Sequence, residues 1–144
     1  DEVLEDPYHG AVQLDTFLSL PVMSGVITDS HFAQRDRMGR LLGFTARILT
    51  DTESTGVLGL GVDETTGVIV ESDGTATVIG EGHVYLVVPD GTPTVCEAGE
   101  PLQTQATVHA LSGGDQLHLP SGGTDVTGYA ISAAGGALSP SDPY

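Results

Sequence analysis

The sequence predicts an α/β fold that is β-rich toward its C-terminus and short of the units a self-standing sheet needs. Three observations lead there. An apolar run from Val22 to Ile27, closed by polar residues, reads as a buried strand. Directly after it the apolar residues change to three- and four-residue spacing, the period of a helix. Beyond the helix come short β-branched runs separated by Gly, Asp and Ser, the signature of successive strands. Only one strand–helix unit is clear, whereas α/β sheets build on several. The chain reads as half of a larger sheet.

In chain order, residues 1–16 (DEVLEDPYHGAVQLDT) are acidic, turn-rich and poor in core residues, so they read as a loop or arm. Residues 17–120 form the main body. Its first strand is expected within FLSLPVMSGVIT, with Ser24 inside it. In the helix that follows, Met38, Leu41, Leu42, Thr45, Ile48 and Leu49 make the inward face. Arg37, Arg40, Phe44 and Arg47 share another face, and Arg35 falls in the first turn. Asp36 and Arg40 stand at i, i+4, where an ion pair adds about 0.2–0.5 kcal/mol. LTDTESTG ends the helix.

Strands are then expected in GVLGLGVD, GVIVESDG, TATVIG and HVYLVV, with ESDGT as a hairpin turn because Asp-Gly favours positive φ. QTQATVHAL and QLHL read as one more strand pair joined by SGGD. Residues 121–144 form a Gly/Ser/Ala-rich tail with one short apolar stretch. No internal repeat is visible.

Composition narrows the function. At 144 residues and 39% hydrophobic content, the chain is long and apolar enough to bury a core. A net charge of −16 repels nucleic acid and anionic membrane, so neither is expected as a partner. No run approaches the roughly 18–20 apolar residues of a membrane span. Cys96 is the one cysteine and reads as a small, partly buried apolar residue; no Cys/His spacing marks a metal site, and no cofactor is called for. The acidic, lysine-free surface leans toward a secreted or extracellular setting.

The cations are confined to one run. Arg35, Arg37, Arg40 and Arg47 are the only Arg or Lys residues, against 20 Asp and Glu, and the first of them follows Asp29-Ser30-His31 closely. A lone histidine is most often structural, and His9, His83, His109 and His118 are read that way. His31 differs because it lies between a strand and a helix, where α/β folds place their ligand sites. There an imidazole fixed by a carboxylate can act as general base toward a serine hydroxyl. GLGVDETTG offers Asp63 and Glu64 at a later strand end, and strand alternation lets only one of them reach His31. The arginines are either a solvated helix face or a carboxylate-binding cluster, which guanidinium groups suit through bidentate bonding.

VITDSHFAQRDRMGRLL followed by GLGVDETTGVIV resembles the second half of the cyanophycinase-like serine peptidases, relatives of dipeptidase E. The likeness runs from about Glu2 to Leu119, and DEVLEDPY resembles the loop after the nucleophile in that family. It implies a three-layer, mostly parallel sheet like that of class I glutamine amidotransferases, of which this chain is the C-terminal half. It also implies His31 as catalytic base and Glu64 as its orienting acid. Asp29, Arg35, Arg37 and Arg40 match positions that grip the substrate; Ser30, at a neighbouring substrate position, stands where cyanophycinases commonly carry glutamine.

No Gly-x-Ser-x-Gly elbow occurs, so the nucleophilic serine is expected on an upstream segment or companion chain, with nicking in the acidic arm as the preferred origin of the start at Asp1. An N-terminal-nucleophile hydrolase is excluded, since Asp cannot serve as its nucleophile. The expected substrate is an aspartyl or isoaspartyl peptide, and a homo-oligomer is compatible with the sequence. The rival readings are a non-catalytic module binding acidic peptides and a calcium-binding domain. VDETTG and ESDGT lack the ligand count the last would need.

Overall fold

The computed structural model describes residues 2–10, 13, 20–52, 54 and 56–144. The distal part of the acidic arm, the FLS of the expected first strand and two positions in the segment after the helix lie outside them. The described elements are α1 (Glu2–Glu5), β1 (Val26–Ser30), α2 (Met38–Asp51), β2 (Leu58–Val62), β3 (Thr66–Val70), β4 (Thr75–Gly80), β5 (Val84–Pro89), β6 (Thr104–Leu111), β7 (Gln116–His118), β8 (Gly123–Thr124), β9 (Tyr129–Ala134) and β10 (Ala137–Ser139).

These elements form an α/β fold in three layers. A six-stranded mixed sheet, ordered β1-β2-β5-β6-β9-β10, carries α2 on one face and a four-stranded sheet, β3-β4-β7-β8, on the other. Among the described residues the parallel pairing is confined to β1–β2, with Asp29 opposite Gly61 and Ser30 opposite Val62. The other ladders are antiparallel, as the hairpin-rich C-terminal sequence favours.

Strand alternation builds two cores from one sheet. In β5, Tyr85 and Val87 join Met38, Leu41 and Leu42 under α2, while Val84 and Leu86 turn toward Ala76, Val78 and Leu117 of the second sheet. In β2, Leu58 and Leu60 face the second sheet and two glycines face the helix side. A Cβ on Gly59 would lie 2.8 Å from Leu41 Cγ, and one on Gly61 within 2.5 Å of Phe32 Cδ1. The alternation in LGLGV, residues 58–62, thus makes room for the helix and for Phe32.

Several boundaries differ from the sequence reading. β1 begins at Val26, not Val22: Pro21–Met23 form a 3-10 turn, Gly25 has φ +72°, and Ser24 precedes the strand. Arg35 lies in a separate 3-10 turn, Ala33–Arg35, outside α2, and Arg37 is the N-cap of α2. Asp36 does not pair with Arg40; the left-handed backbone at Asp36 (φ +48°) breaks the helical spacing. β6 and β7 belong to different sheets, because the chain crosses from one layer to the other at residues 112–115. The ESDGT hairpin forms between β3 and β4, with Gly74 at φ +90° and Asp73 Oδ1 accepting from Thr75 N at 2.9 Å. In the arm, Val3 and Leu4 are buried against the main body. The segment set apart by composition as a tail supplies β9 and β10 to the larger sheet.

Candidate active site

The parallel register of β1 and β2 brings their carboxyl ends side by side, with His31 leaving one and Asp63-Glu64 leaving the other. His31 Nδ1 bonds Glu64 Oε1 at 2.8 Å, and the two side chains are 47% and 51% exposed. An ion pair so exposed adds little stability. Yet His31 is held at φ +49°, a region few residues other than glycine occupy. Bonding at Nδ1 fixes the tautomer and leaves Nε2 for another partner.

Neighbouring contacts hold this geometry. Phe32, fully buried on Gly61 and 5.5 Å from the Tyr85 ring centroid, anchors the chain next to His31. Phe32 N donates to Val62 O at 3.2 Å, and Arg35 N to His31 O at 3.1 Å. Asp63 does not approach the imidazole. Its buried carboxylate accepts from Ala33 N (2.9 Å) and His83 N (3.2 Å), tying the loop after β1 to the start of β5. The amide oxygen of Gln34 accepts from Glu64 N at 3.1 Å and so fixes the backbone at Glu64.

Asp29, the last buried side chain of β1, organises two arginines. Its carboxylate accepts from Arg37 Nη1 (3.0 Å), from Arg40 Nε (2.8 Å) and Nη2, and from Ser30 N (2.8 Å). Arg37 also donates to Ser30 O. Arg37 and Arg40 are therefore committed to a carboxylate of the protein, with Arg40 also over the Phe44 ring at 5.9 Å. Arg35 is exposed, and among the described residues its guanidinium pairs with no carboxylate. Arg47 lies away from this group. It donates to Asp51 at 3.0 Å and stacks over Tyr8 at 4.3 Å, fastening the N-terminal arm to α2 rather than standing as a plain surface residue.

The structure thus joins His31 to Glu64, and Asp29 to Arg37 and Arg40, around one loop. Sequence reasoning passed over Gln34 and Asp63 as scaffolding, although both lie inside the quoted motifs. It also passed over Tyr144, which had no signal beyond being an aromatic at the end of a Gly/Ser-rich segment. Among the described residues no cluster of His, Cys, Asp and Glu could hold a metal ion, and no helix is long and apolar enough to cross a membrane.

No protein-family model matches the chain. Curated proteins named cyanophycinase do match. Those of Trichormus variabilis and a Nostoc species are 38% identical over 120 residues, 80% of this chain. The cyanophycinase of Synechococcus elongatus is 33% identical over the same share. Over most of its own length the chain is similar to the cyanophycinases. It spans only 38% of the length of the first two and 35% of the third. The similarity thus reaches beyond the His31 and Glu64 motifs to 120 residues of the chain.

Proposed function

We propose that this chain supplies the base and the orienting acid of a serine-type peptidase of cyanophycinase kind. The nucleophilic serine would lie on an upstream segment or companion chain. The observation that carries the reading is the 2.8 Å His31–Glu64 bond at the ends of adjacent parallel strands, the place where α/β sheets put chemistry. With Nδ1 bound to Glu64, Nε2 takes the proton as the serine Oγ bonds to the scissile carbonyl carbon. The imidazolium then gives that proton to the leaving amine as the C–N bond breaks, producing an acyl-enzyme. Water repeats the sequence: Nε2 removes its proton, the hydroxide oxygen bonds to the acyl carbon, and serine leaves reprotonated. Glu64 holds the tautomer and stabilises the imidazolium without accepting its proton.

The substrate class follows from the cations. A peptide carrying an aspartyl or isoaspartyl carboxylate suits Arg35, which is exposed and, among the described residues, paired with no carboxylate, whereas Arg37 and Arg40 are bound to Asp29. The test uses the chain together with its serine-bearing segment. His31→Ala should lower turnover on the order of 10³-fold, and Glu64→Gln should lower it strongly as well, both with the folded spectrum kept. Hydrolysis at wild-type rates by His31→Ala would end the reading. Tight binding of acidic peptides with no hydrolysis by the wild-type assembly would make the chain a binding module instead.

A further inference from the structure

The proposed chemistry makes no direct use of Tyr144, yet this residue touches both ends of the loop that carries His31. The Tyr144 hydroxyl accepts from Met38 N at 2.9 Å and donates to Asp36 Oδ1 at 3.1 Å. Met38 opens α2, and the N-cap Arg37 has no side-chain acceptor to offer. Tyr144 therefore satisfies one of the unpaired amide donors at the start of the helix. Its ring stands edge-on to Phe32, with centroids 5.9 Å apart, and to Tyr85 at 5.5 Å. Tyr129 of β9 donates its hydroxyl to Pro143 O, so the strap behind Tyr144 is itself tied to the large sheet.

The loop needs such support. It runs from His31 at φ +49° to Asp36 at φ +48°, two residues in a conformation that persists only where surroundings enforce it. Phe32 is the immediate neighbour of His31, and Asp36 is the far end. One aromatic side chain, arriving from 106 residues along the chain, restrains both.

We propose that Tyr144 is a positioning residue for His31: through Phe32 and Asp36 it holds loop 31–37 in the conformation that brings the imidazole to Glu64. This rests on His31 as the base, and it adds a residue outside the motifs that identify the site. Tyr144 touches no reacting atom.

The test compares Tyr144→Phe, which keeps the ring and loses the hydroxyl, with Tyr144→Ala, which loses both, each in the chain joined to its serine-bearing segment. Nitrogen NMR of the His31 imidazole should show a protected Nδ1 proton in the wild type. In Tyr144→Ala that proton should exchange quickly and the two tautomers mix, and Tyr144→Phe should recover part of the wild-type signal. The kcat of Tyr144→Ala should fall about tenfold or more with KM changed less than about twofold. Wild-type imidazole signals in Tyr144→Ala would overturn the proposal, as would the same signals in Tyr144→Phe if the alanine variant does not fold. So would a change confined to KM. The imidazole spectrum is read without turnover, so the two failures are distinguishable: unimpaired hydrolysis by His31→Ala would sink the catalytic reading, and wild-type imidazole signals in Tyr144→Ala would sink the positional one.

Discussion

Replacing Asp29 by Asn removes one negative charge from a carboxylate that is 8% exposed and accepts from two guanidinium groups and a backbone amide. Hydrogen bonds to charged groups are worth about 1.5–3 kcal/mol each, and breaking a buried pair costs about 3–5 kcal/mol. The partners moderate that cost. The Arg37 and Arg40 side chains are 17% and 36% exposed, so both can turn partly toward water. The expected loss is then about 2–3 kcal/mol, or a fall in Tm of roughly 5–10 °C for a domain of this size. Arg40→Lys keeps the charge but loses the Nε contact, and should cost about 1 kcal/mol. Urea unfolding of both variants, and a double-mutant cycle between positions 29 and 40, measure these terms. An Asp29→Asn variant within about 0.5 kcal/mol of wild type would refute the reasoning. So would an Arg40→Lys variant with unchanged stability and a raised KM, since the fork would then be gripping substrate and not Asp29.

Arg35→Lys should raise KM about tenfold for substrates with a free acidic group and leave amidated peptides unaffected; equal behaviour on both would remove Arg35 from recognition. Gly61→Ala places a methyl against the buried Phe32 ring, and overpacking of this kind should cost about 1–3 kcal/mol in urea unfolding, with wild-type stability arguing against the packing described. All four tyrosines have pKa values above the usual 10.0; the bond to Asp51 pushes Tyr8 up to about 12, and burial pushes Tyr85 up to about 12. A phenol raised in the fold favours it fully below its unfolded value, and that contribution is lost as pH climbs through the folded value. Stability should thus decline between pH 10 and about 12, with tyrosinate absorbance appearing late; a titration midpoint near 10 for all four would contradict it.

The site was more legible than the layers around it. His31 and Glu64 sit in short motifs at strand ends, and the hydrogen bond between them depends on local chain direction and one parallel register. The arginines were legible as a cluster but not in their engagement. Asp36 lies at helical spacing from Arg40, and only the left-handed turn at Asp36 shows why Arg40 turns to Asp29 instead. The division of β6 and β7 between two sheets was hidden, because both runs carry the same apolar alternation and a Gly-rich connection fits a hairpin and a layer crossing equally. Tyr144 was hidden for a further reason. Its value lies in contacts 106 residues distant, and periodicity reports nothing at that separation.

β1 has a consequence for how such a protein would wear out. Among the described residues it is the outermost strand of the large sheet, and a single ladder, to β2, holds it. His31 hangs from one side of that ladder and Glu64 from the other. Fraying of these five residues would therefore part His31 from Glu64, and would also lift Ile27 and Val26 from the two cores they pack against. Within the described residues, the His31–Glu64 contact is thus only as durable as the β1–β2 ladder that spaces it.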